Sequence, residues 1–168
     1  MVQLISCLLH LAAQAAPKYS VVRDLVFTTL AYPIGSFVVY SFWVVWWTQG
    51  REVIFPKSME IYYPVWLNHT THTLVAPLNI AQAYLTFHKF IRNGTYVPVT
   101  FMFGYCSLLL FIRWKAGMFV YPFLNQMDSL SIAIYFGSIL FCTFALYESC
   151  FFITGIFHMR KLKRSRVE

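Results

Sequence analysis

Apolar residues in this chain arrive in long unbroken blocks, not in the three- and four-residue steps of an amphipathic surface helix. Residues 25–50 contain no charged side chain, and a helix of that length exceeds the roughly 30 Å hydrocarbon core of a bilayer. Further apolar blocks cover 65–87, 96–112 and 130–152. Polar connections separate them, carrying Arg51, Glu52, Lys57 and Glu60, then Lys89 and Arg92, then Arg113 and Lys115. Backbone groups in lipid need partners within their own segment, so the blocks predict helices. The period-two alternation of a membrane barrel is absent. The fold class expected is all-α, a multi-pass transmembrane helical bundle with about four spans over 25–47, 65–87, 96–112 and 130–152.

The blocks also divide the chain. Residues 1–18 form an apolar lead segment, too short for a span and expected to lie on the surface or pack loosely. Its ending, Ala13-Gln14-Ala15-Ala16, resembles a signal cleavage region but has no positively charged stretch before it. Residues 19–157 are the helical membrane domain, and 158–168 a basic tail. In the first span Pro33 removes a donor and predicts a kink. Trp43, Trp46 and Trp47 crowd that span's far end as interfacial anchors do. The second span is the least apolar, with Asn68, His69, His72, Pro77, Asn79 and Gln82, and is expected to face protein or a cavity.

Composition reinforces this picture: 59% of residues are hydrophobic and only 11% charged, too few to cover a soluble domain. Charge adds sidedness. Lys18, Arg23, Lys89, Arg92 and the tail residues Arg160, Lys161, Lys163, Arg164 and Arg166 make nine basic residues on one side, against Arg51, Lys57, Arg113 and Lys115 on the other. The asymmetry predicts both termini in the cytoplasm, from an endomembrane or the plasma membrane. The net charge of +7 therefore points to anionic lipid and not to nucleic acid, for which no module is present. Cys7, Cys106, Cys142 and Cys150 form neither a metal-ligand cluster nor a disulfide framework, and no metal or cofactor is expected. The sequons at Asn68 and Asn93 fall at the membrane edge and in a cytoplasmic loop, and are expected to be unused.

Candidate chemistry centres on His69 and His72, three apart and so on one helical face, with His72 about 9 Å beyond Trp66. Three readings stand: histidines that satisfy neighbouring helices, a general acid or base, and a metal site lacking further ligands nearby. Glu148, the charged residue of the last span, reads either as a partner orienting a buried histidine or as a polar contact between helices. A network with His72 would have to bridge different depths. Asp24 beside Arg23 reads as a local ion pair. Thr70, Thr71 and Thr73 adjoin the histidines but are not expected to reach them productively. Thr28 and Thr29 lie toward the opposite face, and no Gly-x-Ser-x-Gly elbow occurs.

Four segments carry a family resemblance: Arg23-Asp24-Leu25-Val26-Phe27-Thr28-Thr29-Leu30-Ala31-Tyr32-Pro33, Arg51-Glu52-Val53-Ile54-Phe55-Pro56-Lys57, Trp66-Leu67-Asn68-His69-Thr70-Thr71-His72-Thr73, and Gly117-Met118-Phe119-Val120-Tyr121-Pro122. In order and spacing they resemble the androgen-induced and androgen-dependent TFPI-regulating protein family, from about 19 to 156. The resemblance implies a multi-pass membrane threonine hydrolase that cleaves fatty acid esters of hydroxy fatty acids. It places the family's catalytic histidine on His72, an accompanying histidine on His69 and an acidic residue on Glu148. It also implies two helices before the Arg-Asp segment, one of them bearing the threonine nucleophile. Residues 1–18 show no match to that motif, so no nucleophile is assigned and this chain alone is expected to hydrolyse such esters poorly. The competing expectation is a non-catalytic membrane protein that binds lipid or partners; a small transporter is a third. Membrane lipids and a lipid ester are the partners expected.

Overall fold

The computed structural model describes residues 2–91 and 93–164. Its long elements are helical: α1 Val2–Ala15, α2 Ser20–Val26, α3 Tyr32–Gln49, the short α4 Arg51–Ile54, α5 Val65–His72, α6 Val75–Leu85, α7 Tyr96–Ala116 and α8 Ser129–Arg164. Among the described residues three stretches are long and apolar enough to cross a membrane: Pro17–Gln49, Tyr96–Ala116 and Ser129–His158. In the most apolar windows of the last two, only 22% and 17% of residues are buried against protein. Surfaces this apolar and this open suit a lipid surrounding. Of the tail, the backbone of 158–164 continues α8, and Arg166 lies outside the described residues.

The fourth expected span, 65–87, needs correction. It is two helices, α5 and α6, broken at Thr73 and Leu74. Pro77 supplies no N–H to the Thr73 carbonyl four residues back, and its ring crowds that oxygen. The freed carbonyl instead accepts from Ala76 N–H at 3.2 Å, while Leu74 N–H reaches back five residues to His69 O at 3.0 Å. The two pieces together run antiparallel along the first span: His72 meets Phe42, Asn79 meets Tyr32, and His88 meets Asp24. One side of this segment faces protein, with Asn68, Asn79 and Gln82 buried, while Trp66, Leu74, Ile80, Tyr84 and Leu85 are exposed on the other.

Pro33 falls in the first turn of α3. A π-helical turn, Phe27–Ala31, widens the first span just before it. Within and beside that turn, Thr28 and Thr29 hydroxyls donate to the carbonyls of Asp24 and Leu25, each at 2.8 Å.

The lead segment is more firmly held than expected. Gln3, Ser6, Cys7 and His10 recur at helical spacing and form one polar face of α1. Gln3 donates to Ala31 O at 2.7 Å and Asn79 Oδ1 at 2.9 Å, Ser6 donates to Gln82 Oε1 at 3.0 Å, and His10 bonds Thr86 at 3.1 Å. Leu4, Leu8 and Leu11 on the other side are exposed. The reason is that lipid competes for apolar side chains but not for amides, so polar faces drive helices together there.

Beyond α7 the chain turns through Gly117, whose φ of 75° is left-handed and whose N–H closes the helix on Arg113 O at 2.8 Å. Asn125 accepts from Phe119 N–H at 2.8 Å and donates to Phe119 O at 3.2 Å, folding 117–127 back onto the bundle. Phe119 and Leu124 are thereby buried against Met102, Cys106, Leu109, Phe136 and Ile139. Asp128 opens α8. The Ser131 hydroxyl and the N–H groups of Ser131 and Leu130 hold its carboxyl below the ordinary value, the expected effect of a helix start on an anion.

A candidate lipid site at His72

Between α3, α4, α5, α7, α8 and the loops that follow α4 and α7 lies a cavity of about 660 Å³. Its size is within the range of small-molecule sites. Ile34, Phe37, Val38, Phe101 and Ile139 are typical of its wall, and α5 contributes Asn68 and His72. The break after His72 ends α5 there, while the folded-back 117–127 loop closes one side with Val120 and Phe123.

His72 is half-buried, and Phe42 stacks on its ring at 4.7 Å and 19°. Its Nδ1 lies 2.9 Å from Asn68 O. A carbonyl can only accept, so Nδ1 carries the proton and Nε2 the lone pair, a tautomer assigned from this geometry. The backbone thus orients the imidazole as a carboxylate does in a triad. The Thr71 hydroxyl does lie beside His72, 2.9 Å from Nδ1. Both side chains fold back onto Asn68 O, and Tyr63 hydroxyl joins at 2.6 Å from Thr71 Oγ1. The contact is made at the protonated nitrogen, so it positions the ring and does not generate a nucleophile.

His69 separates from its neighbour. It packs among Phe42, Trp43 and Trp46, with centroid distances of 6.2, 6.0 and 5.9 Å, and bonds Thr73 Oγ1 at 3.2 Å. It is not part of the cavity wall. Glu148 is half-buried on α8 and also outside the wall; Ile139, which is in it, lies roughly 13 Å back along the helix. Asn68 is buried to 3% exposure, a poor substrate for a glycan.

A second cluster escaped the sequence. Asp24 accepts from Arg23 at 2.7 and 2.9 Å, as the local pair predicts, but also lies 3.0 Å from His88 Nδ1. His88 is almost fully buried, stacked on Phe27 at 4.0 Å. Nothing in the local pattern links residues 64 positions apart; the one available sign was a carboxylate at a span entrance, which needs a partner. Among the described residues no group of three or more His, Cys, Asp or Glu could hold a metal.

These features define an α-helical membrane protein with a half-open, mostly apolar cavity and an oriented histidine in its wall. The chain belongs to the FAR-17a/AIG1-like protein family, which it matches over residues 1–154. It is 34% identical over 117 residues to the human androgen-dependent TFPI-regulating protein, covering 68% of this chain and 50% of that one. It is 36% identical over 118 residues to the human androgen-induced gene 1 protein, covering 69% and 49%. The mouse androgen-dependent TFPI-regulating protein is 32% identical over 118 residues, covering 69% and 51%. The chain thus spans about half the length of these relatives. No solved structure matches it.

Proposed function

We propose that the cavity binds a long-chain lipid ester and that His72 is the general base that acts on it. The supporting observation is His72 Nδ1 at 2.9 Å from Asn68 O, which leaves Nε2 basic in a wall otherwise mostly apolar. Fatty acid esters of hydroxy fatty acids, the substrates implied by the family resemblance, have the apolar bulk and the ester that such a site suits. In hydrolysis the nucleophile's oxygen bonds to the carbonyl carbon as its proton passes to Nε2. Collapse of the tetrahedral species breaks the ester C–O bond, and the departing alkoxide takes the proton back from Nε2.

Among the described residues no serine or threonine hydroxyl is hydrogen-bonded to Nε2. Ser41, in the cavity wall, donates to Val38 O at 3.2 Å. Water is the nucleophile these residues leave room for, and turnover by this chain alone is accordingly slow. Neither His69 nor Glu148 takes a direct part.

Filling the cavity tests binding. Val38→Trp is expected to abolish retention of a radiolabelled long-chain ester by the detergent-purified protein. His72→Ala is expected to retain it. Equal retention by Val38→Trp and the parent would place the lipid elsewhere. The non-catalytic reading predicts retention with no turnover at any pH.

The basic asymmetry supports a cytoplasmic placement for both ends, with the α5–α6 pair serving as an interrupted crossing. Tags at residues 2 and 164 should show the same protease accessibility in sealed vesicles; opposite accessibility would contradict the arrangement.

A further inference from the structure

A buried amide without a partner is uncommon, because the hydrogen bonds it forms with water are lost on burial and normally replaced. Asn68 is such a group: the residue is 3% exposed, its Nδ2 has no hydrogen-bond partner, and it lines the cavity. It sits one helical turn before His72, so the two side chains share a face of α5. The His72 Nδ1–H bond to Asn68 O also locks their backbone and ring together. Several neighbouring polar groups in the wall are engaged already: Ser41 with Val38 O, Tyr63 with Thr71, and Tyr105 with Tyr121. We propose that the Asn68 amide N–H is the donor that holds the carbonyl oxygen of the bound ester and stabilises the oxyanion formed when that carbonyl is attacked.

This rests on the lipid-ester reading of the cavity and adds a residue to it. The chemistry fits a neutral donor. A carboxamide brings no charge to be desolvated, yet its N–H strengthens as the carbonyl oxygen gains negative charge in a site of low dielectric. Half a turn of the amide about its last side-chain bond exchanges its oxygen and nitrogen edges with no movement of α5, and presentation of the NH₂ edge to the ester is part of the proposal. The base at Nε2 and the donor at Nδ2 then approach one ester group from the same helix turn. That disposition favours a ligand with a carbonyl acceptor; a saturated hydrocarbon gives Asn68 nothing to bond, and an ether oxygen only a weaker acceptor that develops no negative charge.

A long-chain ester labelled with carbon-13 at its carbonyl, bound to the purified full chain in detergent, reads the contact directly by infrared difference spectroscopy. The carbonyl band is expected at lower wavenumber than in hydrocarbon solvent. In Asn68→Leu it should return to the hydrocarbon position with ester retention changed only a few-fold. Asn68→Gln, which keeps a donor, should restore part of the shift, and His72→Ala should keep all of it. Turnover is expected to fall about 10²-fold in Asn68→Leu. Because the amide has no partner in the fold, Asn68→Leu is expected to unfold at the same or a higher temperature. An unchanged band in Asn68→Leu overturns the proposal, as does failure of that variant to fold, which would reveal a structural bond. If the parent retains ester with an unshifted carbonyl, this proposal fails alone. If it retains no ester, the lipid reading fails and takes the proposal with it.

Discussion

Alanine at His72 is expected to lower ester turnover by about 10²–10⁴-fold, the usual contribution of a positioned acid–base group. Lipid retention should persist, because most of the cavity wall is apolar and belongs to other elements. The effect should appear in the chemical step: in the proposed mechanism Nε2 takes the nucleophile's proton and returns it to the leaving oxygen, and alanine would do neither. Thr71→Ala removes only a contact at Nδ1, which Asn68 O continues to hold, so its loss should be much smaller. Glu148→Gln should leave turnover nearly unchanged, since Glu148 lies outside the wall. The parent rate is expected to be low, as no serine or threonine hydroxyl is bonded to Nε2 among the described residues. Joining this chain to the helices of a relative that it does not match is expected to raise that rate by supplying a nucleophile. Single-turnover measurements on these proteins decide the matter. A rate unaffected by His72→Ala would remove His72 from the chemistry, and a large loss in Glu148→Gln would restore the acidic partner suggested by the resemblance.

The second large effect concerns stability. Asp24→Ala is expected to cost about 3 kcal/mol, since it strips the partner from two cationic or donor groups at once in a poorly hydrated site. Arg23 reaches Asp24 from the same helix, but His88 comes from the segment after α6, so the carboxylate ties the start of the first span to the end of the broken one. Losing it should loosen that end of the bundle first, raising hydrogen exchange over 86–91. A double-mutant cycle of Asp24→Ala and His88→Ala, read by unfolding in mixed detergent micelles, isolates the pair. Its coupling should exceed about 0.5 kcal/mol. Additive losses would mean that Asp24 is held by Arg23 alone, and that His88 contributes only its stacking on Phe27.

The relation of His69 to His72 shows why sequence spacing alone left the chemistry open. Three residues along a helix put both rings on one side, but they remain offset by about 60° around the axis. That offset is enough here for His72 to enter the cavity wall while His69 packs among tryptophans. The same local view could not foresee Thr71 at His72 Nδ1. Two neighbouring side chains that point apart can still turn back to one carbonyl, Asn68 O, when the helix ends just beyond them.

The sequence by itself determined that the protein is helical and meant for lipid. The length and apolarity of its blocks permit no other way to satisfy the backbone, and those properties are local. It also determined that the amides of 65–87 would turn to protein, as Asn68, Asn79 and Gln82 do, because they are costly against hydrocarbon. The tertiary structure decided the rest. Pro77 set a break where an unbroken span was expected, and whether a proline kinks or breaks a helix depends on what rehouses the freed carbonyl, here Ala76 N–H. Asp24 found His88, and Gln3 found Asn79, across 64 and 76 residues. Such pairs follow from which helices lie side by side, and a single chain's periodicity does not encode that. The cavity arose in the same way, from five helices and the loops between them that leave a space, and a place in its wall is what distinguishes His72 from the other histidines.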